Sequence, residues 1–105
     1  MADTLTRLEA TIASRKGADP TSSYVASLFA KGRPKIARKL GEEAVEAIVA
    51  SLAEDKDALK GEAADILFHL MVLLADADVP FADVLAELDR REGTSGHDEK
   101  ASRPA

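Results

Sequence analysis

Two stretches restrict the fold of this 105-residue chain more than any other feature. In "LGEEAVEAIVASL", Leu40 to Leu52, and again from Glu62 to Ala75, helical spacing puts apolar or small residues on nearly every side. A helix with so little polar face needs cover on several sides. Each stretch nevertheless carries a narrow polar stripe. On a wheel of about 100° per residue, Lys35, Lys39, Glu42, Glu43 and Glu46 share one sector about 100° wide. Glu62, Asp65 and His69 fall within about 60° on the second helix. The acids are thus expected to face a cleft between helices.

The rest of the sequence is consistent with an all-α fold. Ala and Leu dominate, aromatics are few, and no period-two alternation marks a strand. Helices are expected over Thr4 to Lys16, Ser23 to Ala30, Pro34 to Ala53, Ala58 to Ala77 and Phe81 to Arg91. The breaks between them are "KGADPTSS", "KGRP", "EDKD" and "DADVP". Leu5, Leu8 and Ile12 share a face of the first helix, and Val84, Leu85 and Leu88 are expected inward on the last. This describes one domain, residues 1–92, as a bundle of four to five helices. Residues 93–105 lack apolar periodicity and are expected to be a disordered tail. So short a chain cannot easily cover two all-apolar helices alone, which favours completion of the bundle by oligomerisation.

Composition excludes several functions. Without cysteine there is no disulfide, thiol catalysis or cysteine-ligated zinc. A net charge of −5 argues against general nucleic-acid binding. The longest apolar stretch, Ile66 to Ala75, is too short to span a bilayer, and the first residues do not read as a signal peptide. A cytoplasmic protein is the expectation.

The carboxylates form two pairs at i,i+3, Glu43 with Glu46 and Glu62 with Asp65, side by side on their helices. Gathered in a partly dry cleft they would repel and be costly to desolvate. Either protonation with raised pKa values or a hard divalent cation can compensate. One such pair is common on any exposed helix; two on successive apolar helices point to a metal site. The basic block "KGRPKIARK" carries Lys31, Arg33, Lys35 and Lys39 toward the same region, with the first two at a helix N-terminus that favours anions. Carboxylate-held Mg²⁺ beside lysine and arginine is a common way to bind a di- or triphosphate. Lys35 and Lys39 also have a plainer reading, as i,i+4 partners of surface acids. His69 is either a satisfied core histidine or a partner to the metal ligands.

The segment "SYVASLFAKGRPKIARKLGEEAVEAIVASL", followed by "GEAADILFHLMVLL" and "VLAELDRR", resembles phosphoribosyl-ATP pyrophosphohydrolases over roughly Leu5 to Arg91. The ExxE…ExxD motif alone belongs to the wider MazG-type all-α nucleotide pyrophosphohydrolases; the "LFAKGRPKIARKLGEEAVE" and "ADILFHL" blocks are more specific. The resemblance implies an all-α homo-oligomer, a dimer or dimer of dimers, that needs Mg²⁺. It implies hydrolysis of 1-(5-phosphoribosyl)-ATP to phosphoribosyl-AMP and pyrophosphate, the second step of histidine biosynthesis. Glu43, Glu46, Glu62 and Asp65 would be the metal ligands, and Glu42 the group that orients or deprotonates water. Lys31, Arg33, Lys35 and Lys39 would bind phosphate. Two other functions remain open on the residues: a housecleaning nucleoside triphosphate pyrophosphohydrolase, and a non-catalytic helical dimerisation module whose acids form salt bridges.

Overall fold

The computed structural model describes residues 3–93 and 96–103. All regular structure among them is helical: α1 (Thr4–Ser14), α2 (Tyr24–Lys31), α3 (Arg33–Leu52), α4 (Lys56–Asp76), α5 (Phe81–Arg91) and α6 (Gly96–Ser102). The all-α expectation holds, and the first five helices start and end within about two residues of where the breaks place them.

Local chemistry explains the boundaries. Asp3, Ser23 and Asp55 cap α1, α2 and α4, each side chain accepting the N–H three residues on, at 2.8, 3.1 and 3.0 Å. Between α2 and α3 a single residue, Gly32, turns the chain at φ 93°, where a side chain would be strained. Pro34 then sits in the first turn of α3, where its missing N–H costs nothing.

Helices α3 and α4 form the spine. They run antiparallel: the Arg33 side chain, at the start of α3, donates to the Asp76 carboxylate (2.8 Å) and to its carbonyl (3.1 Å), at the end of α4. α1 packs on α4 and α2 on α3, all at that same end of the spine. The core lies there too, built from Ile12, Val25, Leu28, Ile36, Met71 and Val72, with Leu8, Phe29, Phe68 and Phe81 against it.

The other half of the spine is barely covered. Val45, Ile48, Val49 and Leu52 are 59, 57, 61 and 80% exposed, contrary to the expectation that α3 is buried on several sides. The cause is geometric, because α1 and α2 are too short to reach past the middle of α3 and α4. Nor does α5 turn Leu85 and Leu88 inward; both are exposed and α5 buries no residue. It is attached mainly at Phe81, whose N–H donates to Glu9 Oε2 at 2.8 Å.

Within the stretch expected to be disordered, Gly96–Ser102 forms a helix. Buried Glu99 holds it, accepting from Arg90 at 2.8 Å, with Arg91 and Arg103 at 3.5 and 3.6 Å. An ionic clasp of this kind leaves no apolar periodicity to read. Residues 94, 95, 104 and 105 lie outside the described residues.

Leu28 is 1% exposed at the centre of the core. Leu28→Ala should lower unfolding free energy by about 2–5 kcal/mol, read from urea denaturation followed by helical circular dichroism.

Candidate metal centre

Antiparallel registry decides which acids meet. Glu43 lies ten residues beyond Arg33, and Asp65 eleven before Asp76. At about 1.5 Å per residue, both stand some 15 Å from the Arg33–Asp76 tie. The midpoints of the two helices therefore coincide, and their acid stripes turn toward the same seam. One carboxylate oxygen from each of Glu43, Glu62 and Asp65 lies within 4.8 Å of the others. Glu43 is 8% exposed, Glu62 half-buried and Asp65 open to solvent, so the group runs from the seam to the surface.

These carboxylates lack compensation from the protein. Glu43 Oε2 and Glu62 Oε2 are buried with no hydrogen-bond partner, and among the described residues no lysine or arginine forms an ion pair with Glu43, Glu46, Glu62 or Asp65. The Glu43 carboxyl alongside, burial, and the neighbouring Glu46 carboxyl push the Glu62 carboxyl up to about 7, from an ordinary 4.5. Glu46 thus stands close enough to act on Glu62, although it is outside the tight group. It also lines a cleft of about 400 Å³ with Val45, Val49, Ala50, Ala58 and Glu62. A larger hollow of about 490 Å³, between α1 and the α4–α5 turn, has its polar groups already in use: Glu9 accepts from Phe81 and Lys16 pairs with Asp78.

The donor set fits a hard divalent cation. It consists of carboxylate oxygens alone, two of them buried and unpaired, converging from two rigid helices. A cation there would satisfy oxygens that the chain leaves otherwise orphaned.

The basic residues divide. Lys39 Nζ is 3.3 Å from Glu42 Oε2, and that bond, followed by the influence of Tyr24, Glu42 and Glu43, raises its pKa. Glu42 is half-exposed on the flank of the acid group and outside it. Arg33 is committed to Asp76 and anchors the far end of the spine. Lys35, partly buried, and Lys31, exposed in the last turn of α2, have no ion pair among the described residues.

His69 is buried, and both ring nitrogens are in use: Nδ1 contacts the Asp65 carbonyl at 2.8 Å and Nε2 the Tyr24 hydroxyl at 3.0 Å. It touches the backbone of a cluster residue and not a carboxylate. Tyr24 itself has no signature in sequence, since nothing in helical periodicity on α2 places it beside α4.

The Glu62 shift fixes a pH dependence. A carboxyl whose pKa is raised by folding takes up a proton on folding. Its stabilisation is full below its ordinary 4.5 and is lost as pH rises through about 7. The metal-free chain should therefore melt at a lower temperature as pH rises across that interval, and Glu62→Gln should flatten the decline. Added MgCl₂ should raise Tm most above that range, where no proton competes for the oxygens. Differential scanning calorimetry over a pH series reads both effects.

Comparison with known proteins shows the family. Residues 5–92 match the family phosphoribosyl-ATP pyrophosphohydrolase, a span that contains every carboxylate of the cluster. A phosphoribosyl-ATP pyrophosphatase of Rhizorhabdus wittichii is 71% identical over 104 residues, covering 99% of this chain and 98% of the relative. Those of Novosphingobium aromaticivorans and Dinoroseobacter shibae are 67% and 64% identical, each over 99 residues and 94% of this chain, and over 92% and 97% of their own lengths. On the strength of the matched span and of these identities, the chain belongs to the phosphoribosyl-ATP pyrophosphohydrolase family.

Proposed function

We propose that this chain hydrolyses 1-(5-phosphoribosyl)-ATP to phosphoribosyl-AMP and pyrophosphate, with Mg²⁺ as cofactor, in the cytoplasm, as the second step of histidine biosynthesis. The observation that carries this reading is the pair of orphaned carboxylate oxygens, Glu43 Oε2 and Glu62 Oε2, in a chain of this family. Glu43, Glu62 and Asp65 hold the cation, with Glu46 as fourth ligand toward the cleft. When bound, Mg²⁺ supplies positive charge at the triphosphate and lowers the pKa of water.

The residues around the cluster then have distinct tasks. Lys39 and Lys35 neutralise phosphate charge as it moves onto the departing pyrophosphate, and Lys31 draws the anion in from the α2–α3 junction. A phosphate oxygen that displaces Glu42 from Lys39 leaves the Glu42 carboxylate free. Glu42 then orients a water at the α–β linkage and accepts its proton as the new P–O bond forms and the bond to pyrophosphate breaks. Arg33 acts on this chemistry indirectly, by keeping α3 and α4 in register through Asp76.

The assembly is a homodimer, or a dimer of dimers, formed through the uncovered half of the spine. Val45, Ile48, Val49 and Leu52 make a continuous apolar strip on α3 beside the cleft that Glu46 and Glu62 line. Such a strip is unusual on a monomer surface. A second copy covers it and closes the cleft.

A housecleaning pyrophosphohydrolase would use the same acids on ordinary nucleoside triphosphates. A non-catalytic module would use them in salt bridges; among the described residues Glu43, Glu46, Glu62 and Asp65 form none, and only Glu42 pairs, with Lys39. Pyrophosphate release should be fastest from phosphoribosyl-ATP in a panel with ATP, dATP and inosine triphosphate, and should need Mg²⁺. Glu43→Gln and Asp65→Asn should each reduce it by about a hundredfold or more with helix content unchanged. Equal rates across the panel would favour the housecleaning reading, and full activity in either variant would overturn the ligand assignment. In sedimentation, Ile48→Glu should shift the protein toward a monomer of 11.1 kDa; a monomeric parent protein would contradict the assembly.

A further inference from the structure

Beside the acid cluster stands an aromatic ring that is fixed and yet open to solvent. Tyr24, the first residue of α2, is 52% exposed, whereas Phe29, Phe68 and Phe81 pack against the core. The Phe68 ring lies nearly parallel to it, with centroids 6.2 Å apart and an interplanar angle of 19°. One face of Tyr24 is thereby occupied. Its hydroxyl is tied at 3.0 Å to His69 Nε2. The Ser23 cap fixes the helix end from which the ring projects.

The direction of the tie follows from its partners. His69 Nδ1 lies 2.8 Å from the Asp65 carbonyl oxygen. A carbonyl only accepts, so Nδ1 donates; in the neutral ring Nε2 then accepts from the Tyr24 hydroxyl. Burial of His69 edge-on to both rings, 5.2 Å from Phe68 and 6.0 Å from Tyr24, keeps the arrangement rigid. Asp65 and His69 are one helical turn apart, about 5–6 Å. The ring is thus anchored one turn along α4 from a carboxylate of the cluster. On α3, Lys39 is close enough for Tyr24 to influence it together with Glu42 and Glu43.

We propose that Tyr24 is the nucleobase platform of the site: its free face stacks on the purine of the substrate while the carboxylates and Lys39 engage the phosphates, and His69 positions the ring. This rests on the catalytic reading above and adds the residue that distinguishes a purine nucleotide from a bare polyphosphate. A ring already immobilised loses little freedom when a base settles on it.

The test uses the two reaction products, because only one contains a base. Tyr24 is the single tyrosine and tryptophan is absent, so intrinsic emission reports this ring alone. The Mg²⁺-loaded protein is titrated with phosphoribosyl-AMP and, separately, with pyrophosphate. Emission, corrected against free tyrosine at equal nucleotide concentration, is followed together with Tm. Phosphoribosyl-AMP should raise Tm and quench the emission, and pyrophosphate should raise Tm with little quenching. A rise in Tm by phosphoribosyl-AMP without quenching overturns the platform and leaves the catalytic reading intact. If neither product moves Tm, the catalytic reading itself fails. In steady-state kinetics, Tyr24→Leu should raise KM for phosphoribosyl-ATP roughly tenfold, with kcat within about twofold. Tyr24→Phe, which keeps the ring and loses only its tether, should raise KM by about two- to threefold. Equal KM effects in the two variants would assign the role to the hydroxyl and contradict stacking.

Discussion

Glu43 and Glu62 oppose one another across the α3–α4 seam, each with a buried carboxylate oxygen that no donor reaches. Two such groups favour separation of the helices that carry them. The rest of the fold resists that separation. Arg33 ties the start of α3 to Asp76, the short α3–α4 turn closes the opposite end, and the Ile36, Met71 and Val72 contacts hold the spine on the core side. Crowding by Glu43, burial and the neighbouring Glu46 hold the Glu62 carboxyl well above its ordinary value, so that protonation relieves part of the repulsion. A divalent cation there would relieve it more completely. A proton and a bound cation would compete for these carboxylates, which would couple folding, acidity and cation binding through one pair of side chains.

The position of this pair explains the lopsided shape of the molecule. Core-forming contacts from α1 and α2 cover one half of the spine, while Val45 to Leu52 project beyond them. The acids sit at the boundary between the covered and uncovered halves. A site there has rigid walls on one side and an open cleft on the other, and the open side is the one a second copy would close. Dimerisation there would complete the bundle and the site together.

Much of this was legible in the residues. Capping side chains, Gly32 and Pro34 leave local signatures, so the helices fall close to where the breaks predict. The acid stripes were legible because a 3.6-residue period projects Glu43 and Glu46, or Glu62 and Asp65, onto one face whatever surrounds them. What one helix cannot reveal is its partner. Arg33 reads as a phosphate ligand, and only the antiparallel registry shows that Asp76 stands beside it. His69 reads as a neighbour of Asp65, and only the fold brings Tyr24 to its other nitrogen. The apolar face of α3 reads as buried on several sides, whereas within this chain Val45, Ile48, Val49 and Leu52 stay exposed. The Glu99 clasp depends on charges from three places along the chain and has no periodic trace.

If the orphaned oxygens of Glu43 and Glu62 serve to hold a cation between α3 and α4, an ion must be found there. The most direct measurement is a crystal structure of the protein grown with Mn²⁺, an oxygen-seeking substitute for Mg²⁺, with anomalous diffraction locating the ion. An anomalous peak bonded to carboxylate oxygens of Glu43, Glu62 and Asp65, bridging the two helices, is the expected result. An empty seam at saturating Mn²⁺ would rule the cation site out.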